Sequence, residues 1–209
     1  MAHYVLSGGC AWTAPGNGKD YCDTIYSFLP KGAHTAKLLI CLFAQPPAKW
    51  PEKIVDPLRM LREHVPAHLT IEILVADPYT FLEQVAEADI VYLCGGFTPL
   101  LLKALSVYNL SPQQWRDAFG EKVVVGTSAG TSALTTFSVN VDTETPQEGL
   151  GILDLATLVH YGSTSYLSAE NVQVDWPTIE AAFTKGCEEH GITEEKQLLI
   201  PEAEFVAVS

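Results

Sequence analysis

The chain has 209 residues, of which 47% are hydrophobic and 18% are charged, so it is long enough to build one sizeable hydrophobic core. Its formal charge of −13 leaves only 12 Lys and Arg, dispersed along the sequence, which disfavours nucleic acid and anionic membranes as partners. No apolar run reaches the length of a membrane span, and no basic leader precedes the first apolar segment. We therefore expect a single α/β domain over residues 1–209, located in the cytoplasm.

Short β-branched runs alternate with amphipathic segments along the chain. In chain order, the predicted strands are "HYVLSG", "AKLLICLFA", "LTIEILVA", "ADIVYLCGG", "KVVVGTS", "LATLVHYG" and "EFVAV". Apolar residues at helical spacing predict helices in "PEKIVDPLRMLREHV", "PYTFLEQVAEA", "TPLLLKALSVY" and "SPQQWRDAFGE". A further helix, "AGTSALTTF", is predicted after the fifth strand, and 44–51 and 142–151 are predicted loops. This pattern predicts a mainly parallel sheet with helices on both faces, which is a three-layer α/β sandwich.

The segment "VVVGTSAGTSAL" places a single hydroxyl, Ser128, in a cramped turn between a strand and a helix. Gly126 to Gly130 fit the G-x-S-x-G pattern of a nucleophile elbow, in which small neighbours let the strand and the helix approach closely. The free amide of Ala129 at the start of the helix would then face a developing oxyanion. The same five residues also fit a tight turn whose serine caps a helix.

Two further features lie where neighbouring strands are predicted to end. Gly95 and Gly96 follow the strand in "DIVYLCGG", where they either make a simple turn or bring the Gly96 amide to the same oxyanion. His160 ends the strand in "LATLVHYG" and is the candidate general base. Because ligands bind beyond the carboxyl ends of parallel strands, these groups are expected to meet at one edge of the sheet.

Together, "VLSGG", "DIVYLCGGFTPLLLKAL", "VVVGTSAGTSAL", "GLGILDLATLVHY" and "LLIPEAEFVAV" resemble the dipeptidase E family of serine peptidases, which includes the aspartyl dipeptidases and, more distantly, cyanophycinase. The resemblance implies a class I glutamine amidotransferase-like fold, with Ser128 as the nucleophile, His160 as the base, and Gly96 and Ala129 as oxyanion donors. The third member of the catalytic triad is left open between Asp142, which has the commoner side chain for this role, and Glu144, which keeps the family's spacing to a following proline.

The expected function is therefore that of a serine peptidase or amidohydrolase that hydrolyses short peptides through an acyl-enzyme on Ser128. No metal or organic cofactor is expected, because Cys187 and His190 lack further ligand residues at suitable spacing. The expected assembly is a monomer or a homodimer. The alternatives are a non-catalytic binding protein of the same fold and an α/β-hydrolase-type esterase, although no early oxyanion loop of the HG type precedes Gly95.

Substrate selection is expected to differ from that of a strict aspartyl dipeptidase. Binding a substrate carboxylate requires a nearby cation, yet residues 161–184 contain no Lys, Arg or His. Lys19 or Lys103 could then supply positive charge from elsewhere in the sequence. A neutral pocket is expected instead, lined by Phe97, Ser163, Thr164 and Tyr166.

Overall fold

A computed structural model describes residues 1–166 and 173–208. The first part of the chain forms β1 (His3–Ser7), α1 (Lys19–Ser27), β2 (Thr35–Cys41), α2 (Trp50–Lys53), α3 (Val55–Glu63), β3 (Thr70–Val75), α4 (Phe81–Glu87), β4 (Ile90–Leu93), α5 (Thr98–Ser106), α6 (Pro112–Phe119) and β5 (Val123–Thr127). The second part forms α7 (Ala129–Leu134), β6 (Thr135–Asn140), β7 (Thr145–Glu148), β8 (Leu153–Val159), α8 (Trp176–Glu189), β9 (Gln197–Ile200) and β10 (Phe205–Val208).

The larger sheet has six strands in the order β10-β1-β5-β4-β2-β3, and only β10 runs antiparallel to its neighbour. Every residue of β4 and β5 is buried, which explains why these strands are continuous apolar runs rather than alternating ones. Phe81, Trp115 and Phe119 of α4 and α6 belong to the core cluster on one face of this sheet, whereas Tyr21 and Met60 of α1 and α3 belong to the other. The predicted three-layer α/β sandwich is thus present.

A second, smaller sheet has the order β7-β6-β8-β9, and α8 covers it through a core that contains Phe137 and Phe183. The sequence pattern did not predict this sheet. The helix predicted over "AGTSALTTF" ends at Leu134, because Thr135 and the residues after it pair with β8 and form β6. Part of the predicted 142–151 loop forms β7, an edge strand that tolerates Pro146.

The two sheets are connected near the C-terminus of the chain. Strand β9 pairs with β8 so that Val159 lies opposite Ile200, and the chain then crosses to β10 at the edge of the larger sheet beside β1. The residues of this crossing, 201–204, consequently lie beside the ends of β1 and β8. Helices α1 and α8 were not predicted. Among the residues that the structure describes, no helix is long and apolar enough to cross a membrane.

Candidate active site

Ser128 occupies the turn between β5 and α7 in a strained conformation, with φ 49° and ψ −109°. Such backbone angles cost a non-glycine residue on the order of 1–3 kcal/mol and are concentrated at functional sites. Both glycines of the pattern are required by packing, since a Cβ on Gly126 would lie 2.7 Å from the amide nitrogen of Thr131 and one on Gly130 would overlap the Leu93 carbonyl. The Ser128 hydroxyl makes no capping hydrogen bond to α7, so the helix-cap alternative is not what the structure shows.

The hydroxyl of Ser128 lies 2.8 Å from Nε2 of His160, which is within hydrogen-bond distance. His160 directly follows β8, is 5% exposed, and has a left-handed backbone with φ 55°. Its amide donates to the Gly8 carbonyl at 3.1 Å, which ties it to the end of β1. A Cβ on Gly9 would overlap Cε1 of the imidazole. The second glycine of "VLSGG", Gly9, therefore makes room for the histidine, a role that the sequence pattern did not reveal.

Glu202 faces the other nitrogen of the imidazole. Its Oε1 atom lies 3.6 Å from Nδ1 of His160, within ion-pair distance but too long for a hydrogen bond. Nδ1 itself is buried and has no hydrogen-bond partner in the described structure. The contact with His160, reinforced by a hydrogen bond from Ser163, outweighs burial and lowers the pKa of Glu202 to about 2. An ionised carboxylate is therefore present beside the imidazole at neutral pH.

The two acids proposed from the sequence occupy other positions, so their assignment to the Nδ1 side of His160 requires correction. Asp142 accepts a 2.9 Å hydrogen bond from the Tyr166 hydroxyl, and Glu144 accepts one of 3.2 Å from the Asp175 amide. In the described part of the chain, neither acid forms an ion pair with His160. Asp142 is nevertheless close to the site, because Tyr166, which donates to it, stacks its ring on the imidazole of His160 with centroids 4.2 Å apart.

The backbone after β4 lies against the serine. A Cβ on Gly95 would be 3.3 Å from Cβ of Ser128, which shows how closely the two loops approach. Gly96 has φ 144° and is held by its neighbours: the Gln45 side chain donates to the Gly95 carbonyl at 3.0 Å, and the Phe97 amide donates to the Ala44 carbonyl at 2.8 Å. Among the described residues, the amides of Gly96 and Ala129 donate no hydrogen bond to the backbone.

A cavity of about 440 Å³ opens at Ser128 and His160. Of the predicted substrate-binding residues, Tyr166 lines this cavity, together with Tyr92, Thr127 and Asp142. Ser163 and Thr164 instead line an adjoining cleft beside Glu202, and Phe97 is 38% exposed and absent from the cavity wall. The pocket is thus partly aromatic and hydroxyl-lined, and of the four predicted residues Tyr166 alone belongs to its described lining.

The cavity wall also carries charges that sequence analysis overlooked. Glu52, Lys53 and Asp56, from α2 and α3, line it. Lys53 Nζ lies 3.1 Å from Glu52 Oε1, and Asp56 pairs with Arg59 at 2.8 Å. Lys19, considered from the sequence, pairs with Asp23 instead. The one lysine on the described wall is therefore already paired with a carboxylate.

No group of three or more His, Cys, Asp or Glu side chains within 1–166 and 173–208 is arranged to hold a metal ion. The five cysteines are all free thiols, and four of them are buried. His190 Nδ1 donates to the Gly186 carbonyl at 2.8 Å, which is a local contact at the end of its own helix. Cys187 packs in the core of the smaller sheet.

Comparison with known proteins places this site in a family. The sequence model of peptidase family S51 matches residues 52–207, a span that includes Ser128, His160 and Glu202. No curated protein sequence matches the chain.

Two solved structures share its fold. A peptidase from an acI-B1 Actinobacterium is 16% identical with a TM-score of 0.61, and the match covers 100% of this chain and 83% of that one. A putative Peptidase E protein from Listeria monocytogenes EGD-e is 16% identical with a TM-score of 0.58, and the match covers 100% of this chain and 98% of that one. The α/β fold and the resemblance to the dipeptidase E family are thereby confirmed. The chain belongs to peptidase family S51 and is a peptidase.

Proposed function

We propose that this peptidase is a serine hydrolase of short peptides that acts through an acyl-enzyme on Ser128. The observation that carries the proposal is the 2.8 Å contact between Ser128 Oγ, on its strained turn, and His160 Nε2, at the end of a separate strand. A nucleophile held within hydrogen-bond reach of a base, which in turn faces a carboxylate, is the arrangement that activates a serine.

The reaction begins when Ser128 Oγ attacks the carbonyl carbon of the scissile amide and His160 Nε2 takes the hydroxyl proton. The negative charge that develops on the carbonyl oxygen is stabilised by the amides of Gly96 and Ala129, which donate to no backbone carbonyl among the residues described. His160 then gives its proton to the leaving amine, and the carbon–nitrogen bond breaks. A water molecule, deprotonated by His160, attacks the acyl-enzyme and releases the acid product, and Ser128 regains its proton.

Glu202 takes the third role in this proposal, in place of Asp142 or Glu144. A proton on Nδ1 is required for Nε2 to act as the base, and the ionised Glu202 beside Nδ1 favours that tautomer. The same carboxylate stabilises the imidazolium that forms when Ser128 is deprotonated. Asp142 contributes indirectly by holding Tyr166 against the imidazole.

The cavity supports a substrate preference that is not strictly aspartyl. A volume of about 440 Å³ is suited to a small peptide. The acidic and basic side chains of the described wall, apart from His160, are Glu52, Lys53, Asp56 and Asp142, and Lys53 is paired with Glu52. A carboxylate on the substrate would therefore meet more acidic groups than unpaired cations, which disfavours it electrostatically.

Labelling with a fluorophosphonate, followed by intact-mass measurement and peptide mapping, tests the proposal directly. We expect one adduct per chain, on Ser128, and no adduct on the Ser128→Ala protein. A folded protein that neither labels nor cleaves peptides would be a binding member of the fold. A labelled protein that cleaves esters but no peptide or amide would be an esterase.

A further inference from the structure

We infer that Ser163 is a positioning residue that holds Glu202 in place and acts on His160 through that carboxylate. The inference rests on the proposed function and extends the triad of Ser128, His160 and Glu202 by a fourth side chain. It also changes the role expected for Ser163 from its sequence, because Ser163 contacts the acid rather than the substrate cavity.

The hydroxyl of Ser163 has two acceptors within reach, Oγ of Ser165 at 3.2 Å and a carboxylate oxygen of Glu202, and the carboxylate is both the nearer and the charged one. The Tyr166 amide donates to Ser163 Oγ at 3.2 Å, which occupies a lone pair of that oxygen. Oε2 of Glu202 lies 2.7 Å from the same oxygen. Because an ionised carboxylate can only accept, the Ser163 hydroxyl is the donor in this contact. A hydrogen bond of this kind is shorter and stronger than one between neutral groups.

The backbone of Ser163 is fixed at the position that this contact requires. Its amide donates to the His160 carbonyl at 3.0 Å, which closes a turn through Gly162, whose φ is 67°. Its carbonyl accepts from the indole of Trp176 at 3.1 Å. The turn over residues 160–163 therefore begins with His160, the base, and ends with Ser163, which holds Glu202.

The two oxygens of Glu202 have different surroundings, and this makes the Ser163 contact consequential. Oε1 faces His160 at 3.6 Å, whereas Oε2 lies beside Ser163 at 2.7 Å and Ser165 at 3.5 Å. The Glu202 side chain is 23% exposed and lines the adjoining cleft. Without the Ser163 hydroxyl, water in that cleft would compete for the carboxylate and draw it from the imidazole. In the described structure, Nδ1 of His160 has no other partner that could replace Glu202.

The test compares Ser163→Ala with Ser163→Thr, which keeps a hydroxyl at the same position. We expect kcat/KM of Ser163→Ala to fall about 10- to 100-fold, the loss of one hydrogen bond to a charged group, with the change in kcat rather than KM. Ser163→Thr should recover at least a third of the wild-type value. Ser165→Ala removes a hydroxyl that lies at the limit of hydrogen-bond distance from Oε2 of Glu202. Its kcat/KM should fall about threefold or less.

A double-mutant cycle with Glu202→Gln separates positioning from a general effect on the fold. Ser163→Ala should lower activity in the wild-type background and have little further effect in the Glu202→Gln background. Equal losses in both backgrounds, an unchanged kcat/KM in folded Ser163→Ala, or no recovery in Ser163→Thr would each overturn the inference. These outcomes leave the proposed function standing if Ser128→Ala is inactive, whereas an active Ser128→Ala protein would refute the proposed function itself.

Discussion

Gly9 makes room for the imidazole of His160: a Cβ atom on residue 9 would overlap Cε1 and lie 2.9 Å from both ring nitrogens. Gly9 is also held at φ 130°, and its carbonyl accepts from the Ala203 amide at 2.8 Å, next to Glu202. The glycine thus lies between His160 and the loop that carries Glu202.

Gly9→Ala should therefore displace His160 and lower kcat/KM about 100-fold or more, since a displacement of about 1 Å can have that effect on catalysis. Gly32→Ala is the matched control, because Gly32 also has a positive φ, 83°, but no atom lies within 4 Å of the added Cβ. That variant should have a lower unfolding free energy, because its backbone is strained, and should retain its activity. A folded Gly9→Ala protein with wild-type kinetics would show that the imidazole does not need this space.

Ser128→Ala should abolish peptide hydrolysis while preserving the fold. Alanine fits the same turn, so only the hydroxyl is lost, and removal of a triad nucleophile costs on the order of 10⁴ to 10⁶ in rate. Ser132→Ala is the matched control, because Ser132 is a buried serine of α7, the helix that begins directly after Ser128, and does not belong to the described cavity lining. Steady-state kinetics and thermal unfolding of both variants give the comparison. Retention of most of the activity by Ser128→Ala would refute the serine mechanism.

Glu202→Gln should lower kcat by about 10³ to 10⁴, because the imidazole loses the ionised group that selects its tautomer. Asp142→Asn should lose far less, since an amide oxygen can still accept from Tyr166, and Glu144→Gln should be close to wild type. The three variants differ only in which carboxylate is neutralised, so each serves as a control for the others. A large loss in Asp142→Asn or Glu144→Gln, with Glu202→Gln unaffected, would restore the assignment made from the sequence.

The pH dependence of stability should report the ionised state of Glu202. Its pKa is lowered from an ordinary value of 4.5 to about 2 in the folded protein, so between these values the unfolded chain binds the proton more readily. The stabilisation from Glu202 is therefore complete above pH 4.5 and is lost as the pH falls towards 2. Urea unfolding across this range should give a shallower decline in unfolding free energy for Glu202→Gln than for the wild type. Identical slopes would show that Glu202 has an ordinary pKa.

Substrate preference should depend on the ion pair between Glu52 and Lys53. In a panel of dipeptides that differ only in the residue before the scissile bond, the wild type should show no preference for Asp over Asn as large as a hundredfold, which would correspond to about 2.7 kcal/mol. Glu52→Gln should raise the Asp to Asn ratio of kcat/KM about two- to fivefold, because it frees the Lys53 ammonium. Lys53→Ala should not raise it. A wild-type preference for Asp of a hundredfold or more would show that an unidentified cation lines the site.

Local sequence was sufficient for the fold class and for the strained turn that carries Ser128. Strands such as β4 and β5 are apolar along their whole length because helices cover both faces of the larger sheet, and that periodicity is visible without a structure. The turn around Ser128 is equally local, since five consecutive residues decide whether a strand and a helix can meet with a hydroxyl between them. The positions of Gly95 and His160 followed from the ends of predicted strands.

Other parts of the site depend on contacts between segments that are distant in sequence. Glu202 reaches His160 only because β9 pairs with β8 and the chain then crosses to β10 beside β1. Lys53 enters the cavity wall from α2, a helix whose sequence carries no sign of that position.

The second sheet was missed for a related reason: Thr135 and its neighbours continue an apparent helix in sequence, and pairing with β8 makes them a strand. The residues themselves determined how strands and helices could form, whereas strand order and register, which arise from the packing of the whole chain, decided which carboxylate faces the base.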